Sequence, residues 1–338
     1  MIESLPLSLQ TVYQELLEAH LQWAVEAVEG KPFLRDIKDK AYWYTRQRIG
    51  GDVITKYIGA DTPQLRIRMK AAQERHEGQR KFEKRCGLWA AQLRAGGLPT
   101  VDMASGKLLN ALSKSGVFRL GGTLVGTHAF RLYPAVLGAW TAPAAIAVTE
   151  DIDIASFERL SLAINDQVEP SMEDALGKLG LEPVPALEKG KISARWCMKG
   201  GGASLDFLTP SFSETEGLRH LEALNVTAQS LHFLNYLIAD PIPAIAIYRS
   251  GLLVQIPRPE RFAIHKLILS ERRRGHQRGK AQKDVRQAKV LIEFLLEARP
   301  SELLEAYETA LEIGPKWRKA LENALGKDAQ LNTWISSI

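Results

Sequence analysis

Two short segments decide how this chain is read: Arg119-Leu120-Gly121-Gly122-Thr123 and, further on, Thr149-Glu150-Asp151-Ile152-Asp153-Ile154. In the second, two aspartates stand two positions apart among apolar residues. Side chains alternate between the faces of a strand, so Asp151 and Asp153 share one face while Ile152 and Ile154 share the other. Neighbouring carboxylates repel each other and are costly to desolvate. A divalent cation between them relieves both costs, and magnesium favours one or two carboxylates together with substrate phosphates. Ahead of the pair, Val117 to Leu120 reads as a brief strand, Gly121-Gly122-Thr123 as a turn, and the residues to about Tyr133 as a helix. A glycine turn opening a helix offers backbone N–H groups and a positive dipole end to phosphate. The expectation is an enzyme that handles a nucleoside triphosphate.

Working outward, Lys191 to Met198 and Ala203 to Thr209 read as a hairpin across Lys199-Gly200-Gly201-Gly202, and its return strand embeds Asp206 among apolar residues. Leu224 to Ser230, Ala244 to Tyr248 and Leu252 to Ile256 read as further strands. Ser105 caps a short helix to Lys114, and residues 157–165 and 171–179 have helical spacing. Pro257 and Pro259 mark a boundary to a helical tail, with helices at 260–273, 280–298, 301–312 and 315–325. Pro315 suits a first helical position. Between the first two lies a flexible, strongly basic loop, residues 272–280. Upstream of about residue 100, residues 8–28 form a helix stopped by Gly30 and Pro32. Ala41 to Arg48 and Val53 to Ile58 make a β-hairpin across Gly50-Gly51, and Thr62 to about Ala95 form a long helix rich in Arg and Lys. The reading is three units: 1–100, 101–257 and 258–338.

Bulk properties exclude little and fit this frame. A chain of 338 residues exceeds one compact core. It is 45% hydrophobic and 25% charged, with a net charge of +5, compatible with phosphate-rich partners. Two cysteines, Cys86 and Cys197, fit neither a zinc pattern nor a disulfide framework. The start MIESLPLSLQ is too acidic and broken for a signal peptide. The apolar run from Leu137 to Val148 contains Pro143 and is too short to span a bilayer. The expected home is the cytoplasm, away from membranes.

The order of strand, Gly-Gly-Thr, helix, strand with Asp-x-Asp and later strand with one Asp resembles the nucleotidyltransferase fold of the DNA polymerase β superfamily. The wording GGTLVGTHAFRLYPAVLG followed by TEDIDIASFERLSLAI is similar to a bacterial nucleotidyltransferase domain family, over roughly residues 105 to 300. The resemblance implies an α+β fold: a polymerase-β-like core, a mixed sheet with helices, flanked by the N-terminal helix and hairpin unit and the C-terminal helical domain. It assigns Gly121, Gly122 and Thr123 to the triphosphate, and Asp151, Asp153 and Asp206 to two ions of magnesium or manganese. The span from Gly122 to Asp151 is longer than the superfamily norm, and an insertion near residues 137–145 accounts for it. In the tail, Phe262 to Leu267, the Arg-rich loop and then Lys283-Asp284-Val285 resemble abortive-infection nucleotidyltransferase toxins. That similarity makes Lys266 a triphosphate contact and Asp284 its support or a substrate-orienting group. It also raises an antitoxin protein as a partner.

The implied reaction is in-line attack of an acceptor hydroxyl on the α-phosphate, with pyrophosphate leaving between two cations. Asp206 helps deprotonate the hydroxyl, and Lys266 neutralises the leaving group. RNA, a tRNA end in particular, is the leading acceptor, held by the basic N-terminal unit and the 272–280 loop. A protein or a small molecule such as an antibiotic is the alternative, and a non-catalytic nucleotide- or RNA-binding module is a second. For the hairpin two readings stand. Tyr42, Tyr44, Arg46 and Arg48 share one strand face and suit single-stranded nucleic acid; equally, an aromatic face packs on the long helix and leaves the charges in water. His128, Thr127 and Arg131 are possible phosphate-side contacts or ordinary helix residues. Trp140, Trp196 and Trp317 read as core.

Overall fold

The computed structural model describes residues 3–25, 30–49, 52–140, 151–157, 168, 171–185, 192–200, 202–213, 215–273 and 275–337. The expectations for Gly50-Gly51, Glu150, residues 145–149 of the acidic strand and the helix over 158–165 lie outside these. In chain order the elements begin with β1 (Glu3–Ser4), α1 (Leu7–Val25), β2 (Lys31–Ile37), β3 (Lys40–Ile49), β4 (Asp52–Ala60) and α2 (Pro63–Ala95). The middle of the chain holds α3 (Met103–Lys114), β5 (Thr123–Val125), α4 (Gly126–Phe130), α5 (Tyr133–Leu137), β6 (Ala139–Trp140), β7 (Asp151–Ala155), α6 (Met172–Gly177) and β8 (Leu181–Pro185). Then come β9 (Ile192–Met198), β10 (Ser204–Pro210), β11 (Leu218–Leu221), β12 (Val226–Leu231), α7 (Leu234–Leu237), β13 (Ile242–Ala246) and β14 (Leu252–Ile256). Helices α8 (Pro259–Arg272), α9 (Arg278–Ala298), α10 (Pro300–Glu312), α11 (Pro315–Gly326) and α12 (Ala329–Ser336) close the chain.

The chain is α+β. Its central mixed sheet runs β11-β12-β10-β7-β5, with β9 on the first half of β10 and β8 beyond β9. Strand β10 is parallel to β7 and to β12, whereas β5 is antiparallel to β7. Ile152, Ile154, Leu205 and Phe207 have no exposed surface, so the sheet's lower face is anchored and its upper face is left to the acids. The helices after Pro257 pack into the same apolar core as the sheet: Phe130, Tyr133 and Phe262 form one aromatic cluster, and Trp317 closes on Phe233 and Tyr236. The sequence boundary at Pro257 therefore marks the end of β14 rather than a break in packing. A second cluster joins α1 and the end of α2 to β13 through Tyr13, Leu16, Leu93 and Ile245. The buried Tyr13 hydroxyl accepts from the Ile245 amide at 3.2 Å.

Local chemistry explains where structure and expectation part. Val117 to Gly121 is a run of turns, not a strand; the strand comes after the glycines, at Thr123–Val125. The expected single helix to Tyr133 is two short ones, α4 and α5, the second opened by Pro134. The N-terminal hairpin gains a third strand, β2, to make the sheet β2-β3-β4. Gly30, with φ +82°, turns the chain into it. Pro32 is tolerated because β2 is an edge strand. Strands β8 and β11 and helix α12 were not expected; each is a short or terminal element with little periodicity to announce it. Asp102, not Ser105, caps α3, accepting from the Ala104 and Ser105 amides. The 272–280 segment holds a 3₁₀ turn (Gly275–Gln277) and the start of α9 rather than one open loop. Among the described residues no helix is long and apolar enough to cross a membrane.

Candidate active site

Parallel pairing of β7 and β10 sets Ser204 against Asp151 and Asp206 against Asp153. Neighbouring strands lie about 4.8 Å apart, so Asp153 and Asp206 stand side by side and Asp151 joins them two residues back on the same face. Ser204 Oγ donates to Asp151 Oδ1 at 2.5 Å. Arg195, opposite Asp206 in the β9–β10 ladder, grips it with two bonds: Nε to Oδ1 at 2.8 Å and Nη2 to Oδ2 at 2.5 Å. The guanidinium is held even more firmly protonated by that carboxylate. Among the described residues no arginine grips Asp153 in the same way. Burial first, then the charge of Asp206 and that of Asp151, push its carboxyl from 3.8 up to about 7; Lys266 and Arg195 oppose this. Three carboxylates on one face, one of them raised by burial and by its two acidic neighbours, have the donor chemistry of a hard divalent cation site. Both Asp206 oxygens are committed to Arg195, and among the described residues no group of three or more His, Cys, Asp or Glu stands ready to hold a metal.

The basic side of the site comes from α8 and α9. Lys266 is buried, its Nζ donating to Asp284 Oδ1 at 2.6 Å and lying 5.2 Å from the Phe262 ring centre. Arg273 Nε donates to Asp284 Oδ2 at 2.5 Å. Asp284 is thus clamped between two cations, with Lys266 near enough to Asp153 to be felt there. Burial and then Lys266 push the neighbouring Lys283 down. Asp284 thereby holds Lys266 in place. Arg272 is spent on Glu216 at 2.7 Å, so two arginines of the expected basic loop are engaged within the fold.

The glycines fall elsewhere than expected. The amides of Gly121 and Gly122 donate to Phe118 O and Val117 O, at 3.3 and 2.9 Å, so they are not bare. Thr123 is buried and pairs with Ala155, at the end of β7 farthest from Asp151. The turn that does face the acids is Gly126-Thr127, where β5 passes into α4. Val125 pairs with Asp153, Gly126 has φ +67°, and a Cβ there would run into Asp153 Oδ2. Only glycine lets the backbone come so close. Its signal in the sequence was the apolar run Leu124-Val125 ending in Gly126-Thr127. Arg195 and Ser204 could have been found by counting back across the glycine turn from Asp206 and by stepping two residues along its strand. Arg131 is used to bind Thr100 O. His128 is buried, its Nε2 has no partner among the described residues, and burial followed by Arg131 pushes it down to about 4. Trp196 and Trp317 are core, and Trp140 packs against the second apolar cluster.

A family model described as a nucleotidyltransferase matches residues 103–312, and a domain of unknown function (DUF6788) matches residues 6–67. The first match covers the central sheet, the acids, Lys266 and Asp284; the second covers α1 and the β2-β3-β4 sheet. Among solved structures the chain is similar to an antigenic nucleotidyltransferase-like protein from Paracoccidioides brasiliensis. That likeness is 12% identity over 70% of this chain and 94% of that one, with a TM-score of 0.35. No curated protein matches the chain.

Proposed function

The chain belongs to the nucleotidyltransferase family, and on that premise we propose that it moves a nucleoside monophosphate from a triphosphate to an acceptor hydroxyl, most simply on RNA. The observation that carries this reading is the register of β10 against β7, which sets Asp206 beside Asp153 on the face that Asp151 shares. In this reading Asp151, Asp153 and Asp206 would hold two divalent cations, and the Gly126-Thr127 turn takes the place assigned from sequence to Gly121-Gly122-Thr123. When bound, the cations supply charge neutralisation to the α-phosphate and acidity to the acceptor hydroxyl. The chain's own residues do the rest. Asp206, once released by Arg195, would accept the acceptor's proton. Arg195 and the Asp284-held Lys266 would present positive charge to the phosphates. Ser204 keeps Asp151 oriented. The net charge of +5 favours a polyanionic acceptor.

One observation favours a rival reading, a nucleotide- or RNA-binding module without turnover: Arg195 occupies both oxygens of Asp206. Incubation with each α-labelled nucleoside triphosphate, magnesium or manganese, and an extract of RNA and protein separates the readings. Label in the RNA fraction, lost in Asp151→Asn/Asp153→Asn, is the expected result. Label on protein or on a small metabolite replaces RNA as acceptor, and no label in any fraction overturns transfer.

A further inference from the structure

The sheet β2-β3-β4 has two unlike faces. Trp43 and Thr45 of β3 are buried on the inner one, where α2 lies; Gln73 of α2 donates to Pro32 O at 3.1 Å. The ladder places Phe33 beside Tyr44 and Tyr44 beside Tyr57, all on the outer face, with Tyr42 one step along. Their rings form a continuous surface. Phe33 and Tyr44 stack at 5.8 Å between centres, Tyr57 meets Tyr44 edge-on at 5.5 Å, and Tyr42 lies 6.1 Å from Tyr57. Tyr57 is 54% exposed, so this surface is open.

Alternation adds Lys31, Arg35, Lys40 and Arg46 to the same face. The Arg46 guanidinium lies 5.0 Å from the Phe33 ring centre. Asp36 of β2 falls on the inner side by the same alternation. Aromatic rings left uncovered on a sheet mark an interaction surface. A face whose described charged side chains are all positive selects against ordinary protein partners and for a polyanion with flat rings. Bases stack on such aromatic platforms whatever their sequence, while Arg and Lys follow the phosphates. A duplex hides its bases and cannot use the rings.

We propose that the outer face of the β2-β3-β4 sheet binds single-stranded nucleic acid by stacking bases on Tyr44, Tyr57 and Phe33 and pairing phosphates with Lys31, Arg35 and Arg46. Its use as a handle for the acceptor strand rests on the transfer reading above; the binding face itself does not. Fluorescence anisotropy with a labelled single-stranded RNA 12-mer, the same sequence as DNA, and their duplexes tests it on the full chain without nucleotide. Single strands bind and duplexes bind at least tenfold more weakly. The exposed Tyr57→Ala weakens binding by about tenfold, as loss of one stacked base does, and Tyr57→Phe restores it. Three phosphate contacts give a slope of log affinity on log salt of about −2, and Arg35→Glu/Arg46→Glu flattens it. Preference for RNA over DNA points to contacts with the 2′-hydroxyl; equal affinity points to stacking and phosphate contacts alone; both support the face. Melting temperatures confirm that the variants are folded. Asp153→Asn binds the 12-mer as the wild type does, so loss of transfer and loss of binding are told apart. Duplex preference, a salt-independent affinity, or full binding by folded Tyr57→Ala and Arg35→Glu/Arg46→Glu proteins overturns the proposal.

Discussion

Asp153→Asn should make the metal-free protein more stable, and only above a certain pH. In the folded chain burial, Asp206 and Asp151 push this carboxyl from 3.8 up to about 7. Between these two values the folded state holds a proton that the unfolded state has released, so stability falls as pH rises through that window. Above pH 7 the cost is complete. At about 1.4 kcal/mol per tenfold change in proton affinity it comes to roughly 4 kcal/mol. Asp153 is partly open to solvent, and water screening lowers the expectation to about 2–4 kcal/mol. Asparagine has nearly the same volume and cannot ionise. At about 2 °C per kcal/mol for a chain of this size, the variant should melt about 4–8 °C above wild type at pH 8 in chelator. The gap should narrow to less than half at pH 5, where Asp153 keeps its proton when folded. Scanning calorimetry from pH 5 to 8 measures this. Adding manganese should raise the wild-type transition and leave the variant's in place. A variant that melts below wild type at pH 8, or an offset that is the same at both pH values, would show that burial and the two neighbouring acids do not strain the Asp153 carboxylate.

The surrounding residues yield sharper contrasts. Lys266→Met leaves the buried Asp284 with Arg273 alone and should cost about 2–3 kcal/mol; Lys266→Met/Asp284→Leu should recover part of that in urea titrations, while affinity for a fluorescent nucleoside triphosphate stays about tenfold down in both. Arg195→Ala frees Asp206, so manganese should bind several-fold more tightly by titration calorimetry; weaker binding would mean that Arg195 holds Asp206 in its ligating position instead. Gly126→Ala and Gly121→Ala both strain a left-handed backbone, at about 1 kcal/mol each, but only Gly126→Ala drives a methyl group into Asp153. Nucleotide labelling per folded molecule should therefore vanish in Gly126→Ala and survive in Gly121→Ala.

The acidic face was legible because it depends on alternation alone: Asp151 and Asp153 had to share a side, and Asp206, an acid in an apolar strand, had to face somewhere functional. Which strand stands next to which was not legible. The register that brings Asp206 beside Asp153, and Arg195 onto Asp206, is fixed by long-range pairing, and no local pattern encodes it. The glycine turn shows the opposite failure. Gly121-Gly122 had the stronger local signal, yet its amides are consumed within the turn that precedes β5. The single Gly126 lies where a strand end and an aspartate must touch. Four of the five helices of the tail were read nearly to the residue, since apolar spacing and Pro315 mark them, whereas the terminal α12 was missed. Strand β2 was missed because Pro32 reads as a breaker, and only its place at a sheet edge makes it acceptable.

Under the proposed function, a nucleotide is transferred with its α-phosphorus at the face formed by Asp151, Asp153 and Asp206. Parallel reactions with α-labelled and γ-labelled triphosphate, magnesium and an RNA acceptor test it most directly. The α-label should enter the RNA, the γ-label should appear only in pyrophosphate, and Asp151→Asn/Asp153→Asn should give neither product. Label from the γ-phosphate in the acceptor or in free phosphate, or equal turnover by the variant, would contradict it.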